Sequence, residues 1–172
     1  MSELRTNRIV PRDGLPAGSS GGIIQIKQVI HSNSLQFAAG SSFTAGTSSG
    51  GNFEITITPT RSDSKILVSF NSMYDNNQAG QRAFVTLYRS IGGGTASHVL
   101  TGSGARGLFE AWNPDQRIQS TCMVQYLDSP NTTQAVTYTV YGYVHSGAGS
   151  GGSFYLGLYD NQKFMHAMEV TG

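Results

Sequence analysis

Four histidines, ten acidic residues and one cysteine are the side chains here that could make or break bonds, and their spacing gathers none of them into a set. His31, His98, His145 and His166 fall in separate segments, with no two at the spacing a shared metal ion requires. His166 alternates with Phe164 and Met168, the pattern of a packed or interface histidine. Asp63, Asp75, Asp128 and Asp160 fall where turns are predicted, and a carboxylate there caps the backbone. A glycosidase would need two carboxylates brought together from distant positions, and nothing in the pattern selects such a pair. Cys122 alternates with Ile118, Val124 and Tyr126 and reads as a small buried apolar side chain. There is no Gly-x-Ser-x-Gly elbow and no Gly-x-x-x-x-Gly-Lys loop. Gly92-Gly-Gly94 and Gly147–Gly152 read as turns, since no helix follows to hold a phosphate. Asn131-Thr-Thr133 is a formal glycosylation sequon that reads as a turn. The expectation is no enzyme, no cofactor and no metal.

Recognition chemistry is better represented. Net charge is +1 and charged residues make up 12% of the chain, against about 25% in an average soluble protein. Such a surface lacks the basic field that a nucleic-acid partner demands. No apolar run is long enough to insert in a membrane, and the first residues lack the pattern of a signal peptide. Asn76, Asn77, Phe109 and Trp112 pair neutral amides with aromatic rings in predicted loops, a combination suited to a glycan. Trp112 itself is expected to tuck over one end of the core, with presentation to a partner as the alternative.

Period-two alternation predicts the elements that position these residues. The clearest is Phe53–Thr58, where Phe53, Ile55 and Ile57 point inward and Glu54, Thr56 and Thr58 outward. Further strands are predicted over 23–30, 65–73, 82–89, 97–101, 118–127, 135–144, 153–159 and 164–170. Turns are predicted at 75–80, 128–131 and 145–152. Segment 34–52 reads as a long loop or a bulged edge strand, and 102–116 has no clear period. About nine short strands with no helical period predict an all-β, antiparallel, jelly-roll-like sandwich over residues 23–172. Strand 135–144 is bulky on both faces, with Val136, Tyr138, Val140 and Val144 opposite Tyr141 and Tyr143. Tyr155 and Tyr159 repeat that pattern in the next strand. Tyr138, Tyr141, Tyr143, Tyr155 and Tyr159 are therefore candidate contacts in a closed homo-oligomer.

Residues 1–22 differ from this body. They carry three arginines, Pro11, Pro16 and a Gly/Ser run, and predict an extended arm with too little apolar surface to fold alone. Leu4, Arg5, Arg8, Ile9, Val10, Arg12 and Leu15 are the candidate anchoring residues, able to lie on a partner through backbone hydrogen bonds and arginine contacts.

The arm Leu4-Arg-Thr-Asn-Arg-Ile-Val-Pro-Arg-Asp-Gly-Leu-Pro-Ala-Gly18, followed by Ile23-Ile-Gln-Ile26, resembles a segment of virion proteins of tailed phages, cyanophages and other marine phages above all. Ile55-Thr-Ile-Thr-Pro-Thr-Arg-Ser-Asp-Ser-Lys-Ile-Leu-Val68 is similar to the strand–turn–strand signature of those proteins. Val85-Thr-Leu-Tyr-Arg89, Tyr126-Leu-Asp-Ser-Pro130 and Met165-His-Ala-Met-Glu-Val170 match further landmarks, so the resemblance spans nearly the whole chain. It implies a homotrimeric sandwich similar in outline to complement-C1q-like heads, with no catalytic residues to carry over. It further implies a virion-surface protein made in the host cytoplasm, docked on a larger virion protein of capsid or tail. An arm followed by one head fits a decoration protein or short fibre; the alternative is a tail-fibre tip that binds host cell-surface glycan.

Overall fold

The computed structural model describes residues 22–100, 106–115, 117–145 and 153–171. Strands β1 (Ile23–His31), β2 (Leu35–Phe37), β3 (Ala39–Gly40), β4 (Thr44–Ala45) and β5 (Glu54–Ile57) come first. They are followed by β6 (Lys65–Asn76), β7 (Gln81–Ile91), β8 (Ser97–His98) and β9 (Phe109–Asn113). Next come β10 (Ile118–Asp128), β11 (Val136–His145), β12 (Phe154–Leu156), a 3-10 turn at Leu158–Asp160, and β13 (Lys163–Val170).

These strands form two sheets. The first runs β1-β13-β6-β12-β2, with β10 on the other edge of β6. The second runs β3-β11-β7-β8, with β4 and β5 also on β11 and β9 also on β7. Every pairing is antiparallel except the short one between β3 and β11. The chain is therefore an all-β sandwich. Alternation explains its core: Phe53, Ile55 and Ile57 meet Ile66, Val68 and Phe70 from the first sheet and Val85, Leu87, Val136 and Val140 from the second, all buried. Gly142 in β11 is required by packing, because a Cβ there would stand 2.8 Å from the Phe37 ring and 2.9 Å from the Phe84 carbonyl oxygen.

Several boundaries differ from expectation. Segment 34–52 is neither loop nor single edge strand: it breaks into β2, β3 and β4, and it buries Leu35 and Phe37 completely. Segment 102–116 contains β9, which pairs with Arg82 and its neighbours on β7. Strand β6 continues through Asp75 and Asn76, so the turn predicted from Asp75 starts two residues later. Its extension is stabilised across the sheet, where β10 pairs with it from Ile66 to Asn76. The strand predicted over 153–159 stops at Leu156 and gives way to the 3-10 turn. Among the described residues the nine predicted strands thus become thirteen, the four added ones being β2, β3 and β4 in segment 34–52 and β9 in segment 102–116, with the long central strands as foreseen.

Candidate interaction surfaces

Of the four aspartates predicted at turns, Asp63, Asp75 and Asp128 are already engaged, and the Asp160 side chain lies outside the described residues. Asp63 takes two hydrogen bonds from Arg61 (2.9 and 2.8 Å) on the surface. Asp75 is fully buried in β6 and receives Arg117 Nη2 at 2.6 Å, with the Gln119 amide also donating. Asp128 is buried at the end of β10, where Arg89 donates at 2.8 and 2.9 Å and the Tyr138 hydroxyl at 2.7 Å. Asp75 and Asp128 are therefore interior ion-pair partners rather than turn caps. Among the described residues no three His, Cys, Asp or Glu side chains gather to hold a metal ion. Cys122 is fully buried, and burial pushes its thiol pKa up, which leaves it the inert thiol.

The outer face of the first sheet is built differently. Residues whose neighbours in the strand point to the core point outward here, and register sets them in rows across β1, β13, β6 and β10. One row reads Ile26, Met168, Leu67, Leu127. The next reads Gln28, His166, Ser69, Gln125, and the third Ile30, Phe164, Asn71, Met123. Ile26, Ile30, Met123 and Leu127 are 55%, 54%, 62% and 51% exposed. None of these twelve side chains carries a formal charge at neutral pH with histidine neutral. Four strands about 4.8 Å apart and about seven residues long make a face of roughly 400 Å² in plan. Its two largely apolar rows flank the polar row Gln28, His166, Ser69, Gln125, and its area is about half of the roughly 800 Å² per partner of a standard interface.

The outer face of the second sheet carries an aromatic cluster closed on itself. Tyr88 and Tyr141 stack at 4.0 Å between centroids, and Tyr143 stacks on Phe84 at 5.0 Å. Phe43 crosses from the segment before β4 and lies against Tyr143 (4.9 Å) and His98 (5.3 Å). Burial lowers the His98 pKa below its ordinary value. Trp112, on β9 beside this cluster, is 57% exposed.

The predicted contact residues scatter over these surfaces. Leu4, Arg5, Arg8, Ile9, Val10, Arg12 and Leu15 lie outside the described residues. Tyr138 is completely buried within the chain, so it makes no oligomer contact; burial, then its bond to Asp128, raises its phenol pKa. Tyr141 and Tyr143 are half-buried in the aromatic cluster. Tyr155 and Tyr159 are on the first sheet's side, Tyr155 opposite Asp75 and Tyr159 beneath the Arg117 guanidinium, 5.7 Å from its ring. Asn76 is buried, its side-chain amide donating to the Gln81 carbonyl (3.3 Å) and its backbone carbonyl accepting from the Asn113 amide (3.0 Å), so it faces no ligand. Asn77 is exposed and accepts the Ser153 N–H at 3.1 Å. Phe109 is half-buried edge-on to Tyr74 at 5.5 Å. Trp112 does not tuck over the core: on β9 its side chain alternates with buried Ala111 and Asn113 and so points outward.

The apolar sheet face is what residue-by-residue reading missed. Its signal is the same two-faced pattern noted in strand 135–144: Met123 and Leu127 occupy the positions that alternate with Cys122 and Val124. No protein-family model matches the chain, and no curated protein matches it. Among solved structures it is similar to a chain in the structure of infectious bursal disease virus Gx strain, at 14% identity and a TM-score of 0.46, over 98% of this chain and 42% of that one. It is similar also to a chain in the structure of the Gt strain of that virus, at 13% identity and a TM-score of 0.43, over 98% and 43% of the two chains. The chain thus spans about two-fifths of the length of each.

Proposed function

We propose that this chain is a non-enzymatic structural protein of a tailed-phage virion, a surface decoration or short-fibre protein. Its β-sandwich associates with identical copies, as a homotrimer, and residues 1–22 attach it to a larger capsid or tail protein. The observation that carries this reading is the uncharged face of β1, β13, β6 and β10, with four large apolar side chains each more than half exposed. Burying that face against copies of itself removes apolar area from water at about 25 cal/mol per Å² without stranding an ion. Sedimentation of the full-length protein tests it. The wild type is expected as a trimer, and Met123→Lys with Leu127→Lys as a folded monomer with an unchanged circular dichroism spectrum. A wild-type monomer, or a double variant that still assembles, refutes the assignment.

A second reading, a tail-fibre tip that recognises host cell-surface glycan, is favoured by the exposure of Trp112.

A further inference from the structure

Trp112 stands on the sheet opposite the apolar face, and neither the core nor the proposed assembly uses it. Across the ladder its partner is Arg82 of β7, whose guanidinium carbon lies 5.6 Å from the indole centroid. Glu110, the next outward position of β9, holds Oε1 3.9 Å from Arg82 Nη1. Both side chains of that loose pair are partly exposed, at 43% and 38%. A guanidinium has five N–H donors and a carboxylate about four acceptor sites, so most of their hydrogen-bonding capacity is free. The support is rigid: β9 pairs with β7 over Gln81–Val85, and β7 pairs with β11 over Ala83–Ile91.

We propose that Trp112, Arg82 and Glu110 form a binding platform for a neutral saccharide. Arg82 lies over one face of the indole, and the exposed remainder of this broad apolar ring, held at low conformational entropy cost, is the surface against which the C–H face of a pyranose packs. Vicinal hydroxyls of the sugar accept from Arg82 and donate to Glu110. The pair sums to zero charge, which selects neutral sugars over acidic ones. A protein hot spot would seat the tryptophan among other apolar groups inside a water-excluding ring. Here its nearest outward neighbours are Arg82 and Glu110, with the closed aromatic cluster beyond them, while the other exposed large apolar side chains among the described residues belong to β1, β10 and the turn after β12. This platform deepens the second reading of the function and does not depend on self-association.

Trp112 is the only tryptophan of the chain, so intrinsic fluorescence reports on this site alone. The full-length protein is applied to an array of neutral oligosaccharides of glucose, galactose and mannose, alongside uronic-acid and sulfated sets. The strongest neutral binder is then titrated in solution while emission is followed. Binding of a neutral set, a shift of the emission maximum on saturation, and a tenfold or greater loss of affinity in Trp112→Ala are expected. Trp112→Phe retains part of the binding and Arg82→Ala weakens it, with sedimentation unchanged in all three variants. Binding confined to acidic glycans, no glycan bound, an unmoved emission maximum, or binding that survives Trp112→Ala overturns the proposal. Each of those results leaves the oligomeric state, and with it the structural reading, to be judged separately.

Discussion

His98 is held between rings, 5.3 Å from Phe43 and 5.2 Å from Tyr88, with Nε2 2.6 Å from the Thr86 hydroxyl. Burial depresses its pKa, so the folded protein prefers the neutral imidazole. Its contribution to stability is complete above the unfolded value of about 6.5 and drains as pH falls through the lower folded value. An NMR titration is expected to place the His98 midpoint below that of an exposed histidine, with Phe43 resonances broadening over the same range. A midpoint at or above the ordinary value would show the cluster open to water. The residue scale is also where sequence reading was least sufficient. Asp75 and Asp128 look like turn residues locally because their arginine partners, Arg117 and Arg89, are 42 and 39 positions away. Trp112 shows the opposite error: a large ring in an aperiodic stretch suggests burial, but pairing of β9 with β7 turns it outward.

Strand β13 is tied to its neighbours by one buried carboxylate. Glu169 accepts from the Gln25 amide of β1 at 2.6 Å and from the Thr60 N–H and hydroxyl at 2.7 and 2.8 Å. Burial alone would raise its pKa, yet these donors outweigh that cost and the net shift is downward. Glu169 therefore stabilises the fold above the unfolded glutamate value of about 4.3, and that contribution is lost as pH falls through the lower folded value. Urea unfolding is expected to show a midpoint that drops from pH 5 to pH 3. In Glu169→Gln the drop is shallower, and stability at pH 7 is already lower by about 1–3 kcal/mol, because an amide cannot satisfy every donor. Equal pH slopes in the two proteins would exclude this role. The long central strands were readable from alternation, and so was the short edge strand β5, as Ile55 and Ile57 show. Strands β2, β3 and β4 were not, since pairings of two or three residues carry no period and are dictated by β11 and β12. The apolar sheet face was half-visible: its residues were assigned to strands, but only register across four strands brings Ile26, Met168, Leu67 and Leu127 into line.

At the scale of the molecule the two outer faces divide the work proposed for it, one turned to identical copies and the other, with Trp112, to the outside. Under the proposed function, deleting residues 1–16 leaves a folded, self-associated head that no longer joins the phage particle. Particles purified from cells that make the truncated protein are expected to lack it, and its retention would refute the anchoring role. The pairing of β1 with β13 has a separate consequence. Ile23 lies opposite Val170, and the Thr171 N–H donates to the Gly22 carbonyl at 3.1 Å. The first strand of the described fold therefore waits for the last of them before its edge is covered. Until β13 is in place, Ile23, Ile26 and Ile30 stand on a strand without its ladder partner, so closure of the first sheet depends on a contact between segments far apart in the chain.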